Sequence, residues 1–362
     1  MKLLVAAWLG VALFVVPVGI RAQTVGQILK GAQTVGKGWQ DSQINDAEEQ
    51  QIGADVSAKL RDKYGVVQDA AVHKYVTLVG RTLAASSTRP ELRWTFVVLD
   101  TDGVNAFAAP GGYVHITRGA LALIKNEGEL ADVLAHEISH ITKKHTITAI
   151  QHAKFEGAMA SAATKSDFLK ALVDKVYESL LENHYDRTQE MDADKTGVTL
   201  ANSVGYAPTG LGVFLTTLAE RNAGLKEPSG VFASHPETQA RLAELTKVIA
   251  KDKLAATAVV AARYAKSITY KPVPVNQVAQ VAPPSTDAAP KKEEPKKGGS
   301  GTFGVAGLPG LGQQKPTDKT VASAGARGVN PDRDAKGGPN KALVVVTVTA
   351  AELAEFKKGI AG

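Results

Sequence analysis

Asn126-Glu127-Gly128-Glu129-Leu130-Ala131-Asp132-Val133-Leu134-Ala135-His136-Glu137-Ile138-Ser139-His140 is the stretch that decides the fold. Asn126 with Glu129 three residues later is a helix-start signal. Leu130, Val133, Leu134, Ile138 and Ile141 then recur at helical spacing, which predicts a buried helix. On that helix His136 and His140 are four residues apart, so both rings leave one face and can reach one ion. Glu137 lies beside such an ion and not under it, where a base could act on a water the ion holds. Two histidines on a helix can also be plain surface residues, so the motif needs a third ligand and a cleft.

A catalytic zinc held by two histidines takes one more protein ligand. His145 and His152 are near in sequence. His145 is five residues past His140, about 140° further round a continuous helix, and is expected to point elsewhere. The downstream acidic candidates are Glu178, Glu182, Asp186, Glu190, Asp192 and Asp194. Glu190 and Asp194 share a helix face at i and i+4. One can ligate a metal while the other orients a ligand histidine. A solvated acidic face has the same spacing, although Ala193 beside them suits close helix packing.

The chain has 362 residues and is 44% apolar, enough for a sizeable core. It has no cysteine, which excludes disulfides, a thiolate zinc site, a cysteine nucleophile and a lipid-modified cysteine. Residues 1–22 read as a signal peptide: Lys2, an apolar run broken by Pro17 and Gly19, and a small residue, Ala22, before the cut. This predicts export to the periplasm. The alternative is an uncleaved N-terminal membrane anchor. The net charge of +6 resides mainly in the tail, where 13 Lys/Arg stand against 8 Asp/Glu from Lys271 onward. The body offers no reason to expect nucleic acid, and the basic tail could contact an anionic envelope surface.

Residues 23–44 form a lead-in segment. Helices are expected over about 45–62 and 70–85, a strand over 92–99, and a second strand over 113–117 (Tyr113-Val114-His115-Ile116-Thr117). The preceding Gly111-Gly112 is either a turn or a backbone left open for another chain to lie against the strand. Helical spacing continues over 166–201 and returns at 208–221 and 236–251, with a continuation toward 265. Residues 272–340 are rich in Pro, Gly and Lys and read as a disordered linker. Residues 341–362 read as a short strand and one helix, which either dock on the body or bind a partner.

Several segments together resemble the HtpX and CAAX prenyl protease family of zinc metallopeptidases. They are His136 to His140 with Glu190-x-x-x-Asp194, Asn105-Ala106-Phe107-Ala108-Ala109-Pro110-Gly111-Gly112-Tyr113, Thr117-Arg118-Gly119-Ala120-Leu121, and Ser234-His235-Pro236 with Arg241. Arg187 and Gly197 also fit the family pattern. The resemblance covers roughly residues 45–250. Among branches the chain is similar to the soluble periplasmic members of the BepA and LoiP type. It lacks the cysteine of LoiP-like proteins and the helical repeats that follow the protease in BepA-like ones.

The resemblance implies an α+β, mostly helical zincin-like (gluzincin) metalloprotease domain over 45–271 with a small antiparallel sheet. It implies one Zn2+ per chain on His136, His140 and Glu190, with Glu137 as general base and Asp194 supporting a ligand. His235 is the preferred oxyanion donor, or a residue that binds the zinc and holds the enzyme shut; Arg187, His184 and Tyr185 are the other donor candidates. Asn105, Gly111, Gly112, Tyr113 and His115 are expected to bind substrate along the second strand. The expected function is endopeptidase action on unfolded or misassembled envelope proteins, with outer-membrane assembly components as further partners. The alternative is an assembly or chaperone-like binding factor whose metal site is occluded.

Overall fold

The computed structural model describes residues 44–148, 165–182, 185–223, 238–278 and 340–361. The expected signal peptide, residues 149–164, His184, His235 and nearly all of the expected linker lie outside the described residues. The unit from Asp46 to Gly362 is built round one helix, α4 (Glu127–Thr142). Asn126 caps it, its side chain accepting from the Glu129 N–H at 2.9 Å, while Glu129 accepts from the Lys125 N–H at 3.0 Å. Every α4 residue from Glu127 to Ile141 is buried. A helix enclosed on all sides must find partners for its polar groups. Glu127 takes the Tyr75 and Tyr206 hydroxyls at 2.8 and 2.7 Å and the Arg263 guanidinium. Asp132 accepts from the Leu211 N–H at 2.9 Å.

Before α4 come α1 (Asp46–Tyr64), α2 (Ala70–Ala84), β1 (Thr95–Leu99), β2 (Ala106–Ala109), β3 (Tyr113–Thr117) and α3 (Arg118–Leu123). The sheet order is β1-β3-β2. The two strands expected from the sequence are β1 and β3; β2, which was not expected, pairs antiparallel with β3 across a Pro110–Gly112 turn. β1 instead runs parallel to β3, so the sheet is mixed. β2, Ala-Phe-Ala-Ala, has weak strand propensity and forms because β3 supplies its ladder. Val114 and Ile116 enter the core, while His115 points to α1 and meets the Ser57 hydroxyl at 2.8 Å.

After α4 come α5 (Lys165–Glu182), α6 (Arg187–Val204), α7 (Gly210–Asn222), α8 (Thr238–Lys251), α9 (Ala261–Ser267) and α10 (Ala350–Ala361). The helical spacing over 166–201 is thus two helices. Asp186 starts the second with a capping box to Gln189, and Gly205 ends it at φ 115°. Helix does not continue from α8 toward 265: residues 252–260 are irregular, with Lys253 and Val260 at positive φ. α5 packs on α1 and β2, with Leu172, Val173, Val176 and Leu180 buried.

The apolar run at 343–348, expected as a strand, is irregular and joins no ladder. The outer side of β1 is already taken, because the Val67 N–H donates to the Val98 carbonyl at 3.0 Å. α10 lies on α2. Phe356 meets Tyr75 edge-on at 6.3 Å, the Arg263 guanidinium sits 3.9 Å from the Phe356 ring, and Lys74 pairs with Glu352.

Candidate metal centre

α4 brings the His136 and His140 Nε2 atoms to 3.1 Å of each other. α6 delivers Glu190 from across the interface, its oxygens 3.7 Å from His136 Nε2 and 3.5 Å from His140 Nε2. Two donors on one tetrahedral ion at imidazole–zinc bond lengths lie roughly 3.3 Å apart. The three side chains therefore fit a single small divalent ion, and they form the one such cluster among the described residues. The two helices can approach this closely because of Gly197. A Cβ there would lie 2.9 Å from the His136 nitrogen. Ala193, one turn earlier, is fully buried in the same seam.

Each histidine is held from behind. His136 Nδ1 is 3.0 Å from Asp194 Oδ1. Arg241, on α8, donates to both Asp194 oxygens at 2.8 and 2.6 Å and reaches Glu190 Oε2 at 3.0 Å. Burial acts to raise the Asp194 pKa, but the Arg241 charge and hydrogen bonds outweigh it and hold the carboxyl at about 2. Arg241 is itself pushed up, its burial outweighed by Asp194, Glu190 and Glu137.

His140 Nδ1 is 3.1 Å from His145 Nδ1, and His145 Nε2 is 3.3 Å from Asp192 Oδ2. The expectation that His145 points away is corrected. α4 ends at Thr142, and Lys144 at φ 55° turns the chain, so the continuous-helix angle does not apply. Burial lowers the His145 pKa and Asp192 opposes it, with burial the larger effect. Tyr185 stacks on His140, ring centres 3.8 Å apart, and its hydroxyl shares a 2.7 Å hydrogen bond with Thr146.

Glu137 sits beside the cluster, 2% exposed. It lines a cavity of about 10 Å³ with His136, Arg241 and Asn105, which is room for about one water. Asn105 stands at the entry to β2 and lines that cavity. The other expected substrate residues do not. β3 is the central strand, paired on both sides, so it has no edge to offer an extended chain. Gly111 and Gly112 are a buried turn and not an open backbone. A Cβ on Gly111, at φ 70°, would lie 2.4 Å from Gln50 Cα, and its N–H donates to Glu49 at 3.0 Å. Tyr113 packs beside Gly53 on α1. His115 is completely buried under α1, and burial with the Arg61 charge lowers its pKa to about 3. Arg187 is exposed at the start of α6.

Residues 70–249 match the model for peptidase family M48. The beta-barrel assembly-enhancing protease of Escherichia coli (strain K12) is 24% identical over 244 residues, 62% of this chain and 50% of its own length. The mitochondrial metalloendopeptidase OMA1 of Schizosaccharomyces pombe is 28% identical over 205 residues, 54% of this chain and 60% of its own. Metalloprotease YcaL of Escherichia coli (strain K12) is 26% identical over 163 residues, 44% of this chain and 63% of its own. The chain therefore spans less than two thirds of each of these relatives. The matched region contains α4, α6 and all but the last two residues of α8, and with them the cluster and its supports. Residues 70–249 of this chain are a peptidase family M48 domain.

Proposed function

We propose that this chain is a zinc-dependent endopeptidase of the bacterial periplasm that hydrolyses unfolded or misassembled envelope proteins. The observation that carries the reading is Glu137 beside the His136, His140 and Glu190 cluster, next to a cavity for one water. A zinc ion there would polarise the scissile carbonyl and acidify the attacking water. Glu137 takes the proton from that water and passes it to the leaving amine. Asp194 holds the His136 proton on Nδ1 and leaves Nε2 free to ligate. Arg241 keeps Asp194 charged and holds both Asp194 and Glu190 in place. His235 serves as the oxyanion donor or as a fourth ligand that shuts the site.

β2, the edge strand beside α4, is the better candidate to pair with an extended substrate. Its first neighbour, Asn105, lines the same cavity as Glu137. Such backbone pairing carries little sequence preference. The name of the E. coli relative supports outer-membrane β-barrel assembly as the setting, and the signal-like N-terminus supports export. No helix among the described residues is long and apolar enough to cross a membrane.

The test is casein cleavage by wild type, by Glu137→Gln and by chelated protein. Equal rates in all three would defeat the proposal. One observation favours the alternative of a binding or assembly factor: His136, Glu137, His140 and Glu190 are each 4% exposed or less. If Glu137→Gln restores the phenotype of a deletion strain as well as wild type does, binding and not cleavage is the activity in the cell.

A further inference from the structure

We infer that His145 and Asp192 form a positioning relay for the second metal ligand, fixing His140 through its Nδ1. The inference rests on the metal-site reading above. The protons leave one consistent arrangement. Both Nδ1 atoms of the 3.1 Å His140–His145 contact cannot donate. His140 Nε2 must carry a lone pair if it is to ligate, so its proton sits on Nδ1. His145 Nδ1 therefore accepts, and the His145 proton is on Nε2, where it donates to Asp192 at 3.3 Å. Lys143 donates to the other Asp192 oxygen at 3.1 Å. His136 is held by a carboxylate directly, and His140 by a carboxylate acting through an imidazole.

The backbone is shaped to this end. Lys144 takes a left-handed conformation that glycine would adopt more easily, and this returns the His145 ring to the α4 face. The His145 carbonyl accepts from Gln189 Nε2 at 3.3 Å, tying the turn to α6 one residue before the ligand Glu190. Tyr185 stacks on a face of the His140 ring. His140 thus has no freedom to rotate away when an ion leaves, and the ligand is preorganised. Side chains that orient metal-bound histidines in this way commonly change affinity by roughly 10–100-fold when removed.

The experiment measures zinc affinity of the full chain by competition with a chromogenic chelator, alongside the melting curve of each apo protein. The variants are His145→Leu, His145→Asn and Asp192→Asn. His145→Leu should weaken zinc binding by roughly 10–100-fold. His145→Asn places an amide oxygen where Nδ1 was and should recover most of that loss, a rescue that a merely structural role would not give. Asp192→Asn should weaken binding by an intermediate factor. Wild-type affinity in His145→Leu overturns the relay, and so does an equal loss in His145→Leu and His145→Asn. If His145→Leu does not fold, Asp192→Asn decides, because that side chain is 38% exposed; wild-type affinity there overturns the relay. Wild-type protein that binds zinc without cleaving casein defeats the peptidase proposal and leaves the relay standing. Wild-type protein that does not bind zinc defeats both.

Discussion

Arg241 and Asp194 meet 47 positions apart in the chain, the guanidinium Nε 2.8 Å from one carboxylate oxygen and a terminal nitrogen 2.6 Å from the other. This two-point contact is buried, with Arg241 2% and Asp194 3% exposed. It fixes the carboxylate behind His136, and Arg241 also reaches the third ligand, Glu190, at 3.0 Å. Removing one member of a buried charged group leaves the others uncompensated and typically costs about 3–5 kcal/mol. Arg241→Leu should lose about that much in urea denaturation of the apo protein. Arg241→Lys, which cannot bridge both carboxylates in the same plane, should lose part of it.

The same pair gives a pH dependence with a definite sign. Asp194 titrates at about 2 in the folded chain, and an unfolded aspartate near 3.9. Between those values the unfolded state binds more protons, so stability rises with pH. The contribution is nearly complete above about pH 4 and disappears as pH falls through 2, with a size of roughly 2–3 kcal/mol. Unfolding free energies of wild type and Asp194→Asn at pH 2 to 5 should converge at the acid end.

Asp132 has the opposite sign. It is completely buried on α4, and burial raises its pKa well above the ordinary value despite hydrogen bonds from Leu211 and Gly210. A raised carboxyl disfavours folding as pH rises from its unfolded pKa toward its folded one. Asp132→Asn keeps an acceptor for the Leu211 N–H and removes the charge. Its melting temperature at pH 7 should equal or exceed that of wild type. Asp132→Leu removes the α7 cap and should cost about 1 kcal/mol or more.

Gly197→Ala tests the seam between α4 and α6. The added methyl would lie 2.9 Å from the His136 nitrogen and 3.0 Å from its Cα, backbone that cannot move without moving the ligand. The expected loss is about 1–3 kcal/mol of stability, together with weaker zinc binding. Calorimetry of the apo and zinc-loaded forms separates the two effects.

Glu137→Gln should keep zinc affinity near wild type, because Glu137 lies outside the cluster of ligand atoms. Its kcat should fall by roughly 10²–10⁴-fold, the usual range for losing a general base. A loss of bound zinc in this variant, measured by atomic absorption after dialysis, would show that the residue supports the metal instead.

The local pattern carries most of what is periodic or capped. α4, with Asn126 as its cap and both histidines on one face, is written within fifteen residues, as is the i, i+4 pairing of Glu190 and Asp194. Helix spacing and capping act over one or two turns, so a sequence shows them directly. Tertiary structure decided what depends on distant partners. β3 became central because β1 pairs with it across the sheet. Gly111 and Gly112 became a buried turn because α1 lies against them. Arg241 gained its role from carboxylates on another helix, and His145 gained its place from a left-handed Lys144 that no periodicity marks. Burial and long-range pairing are properties of the assembled core, and no short window of sequence holds them.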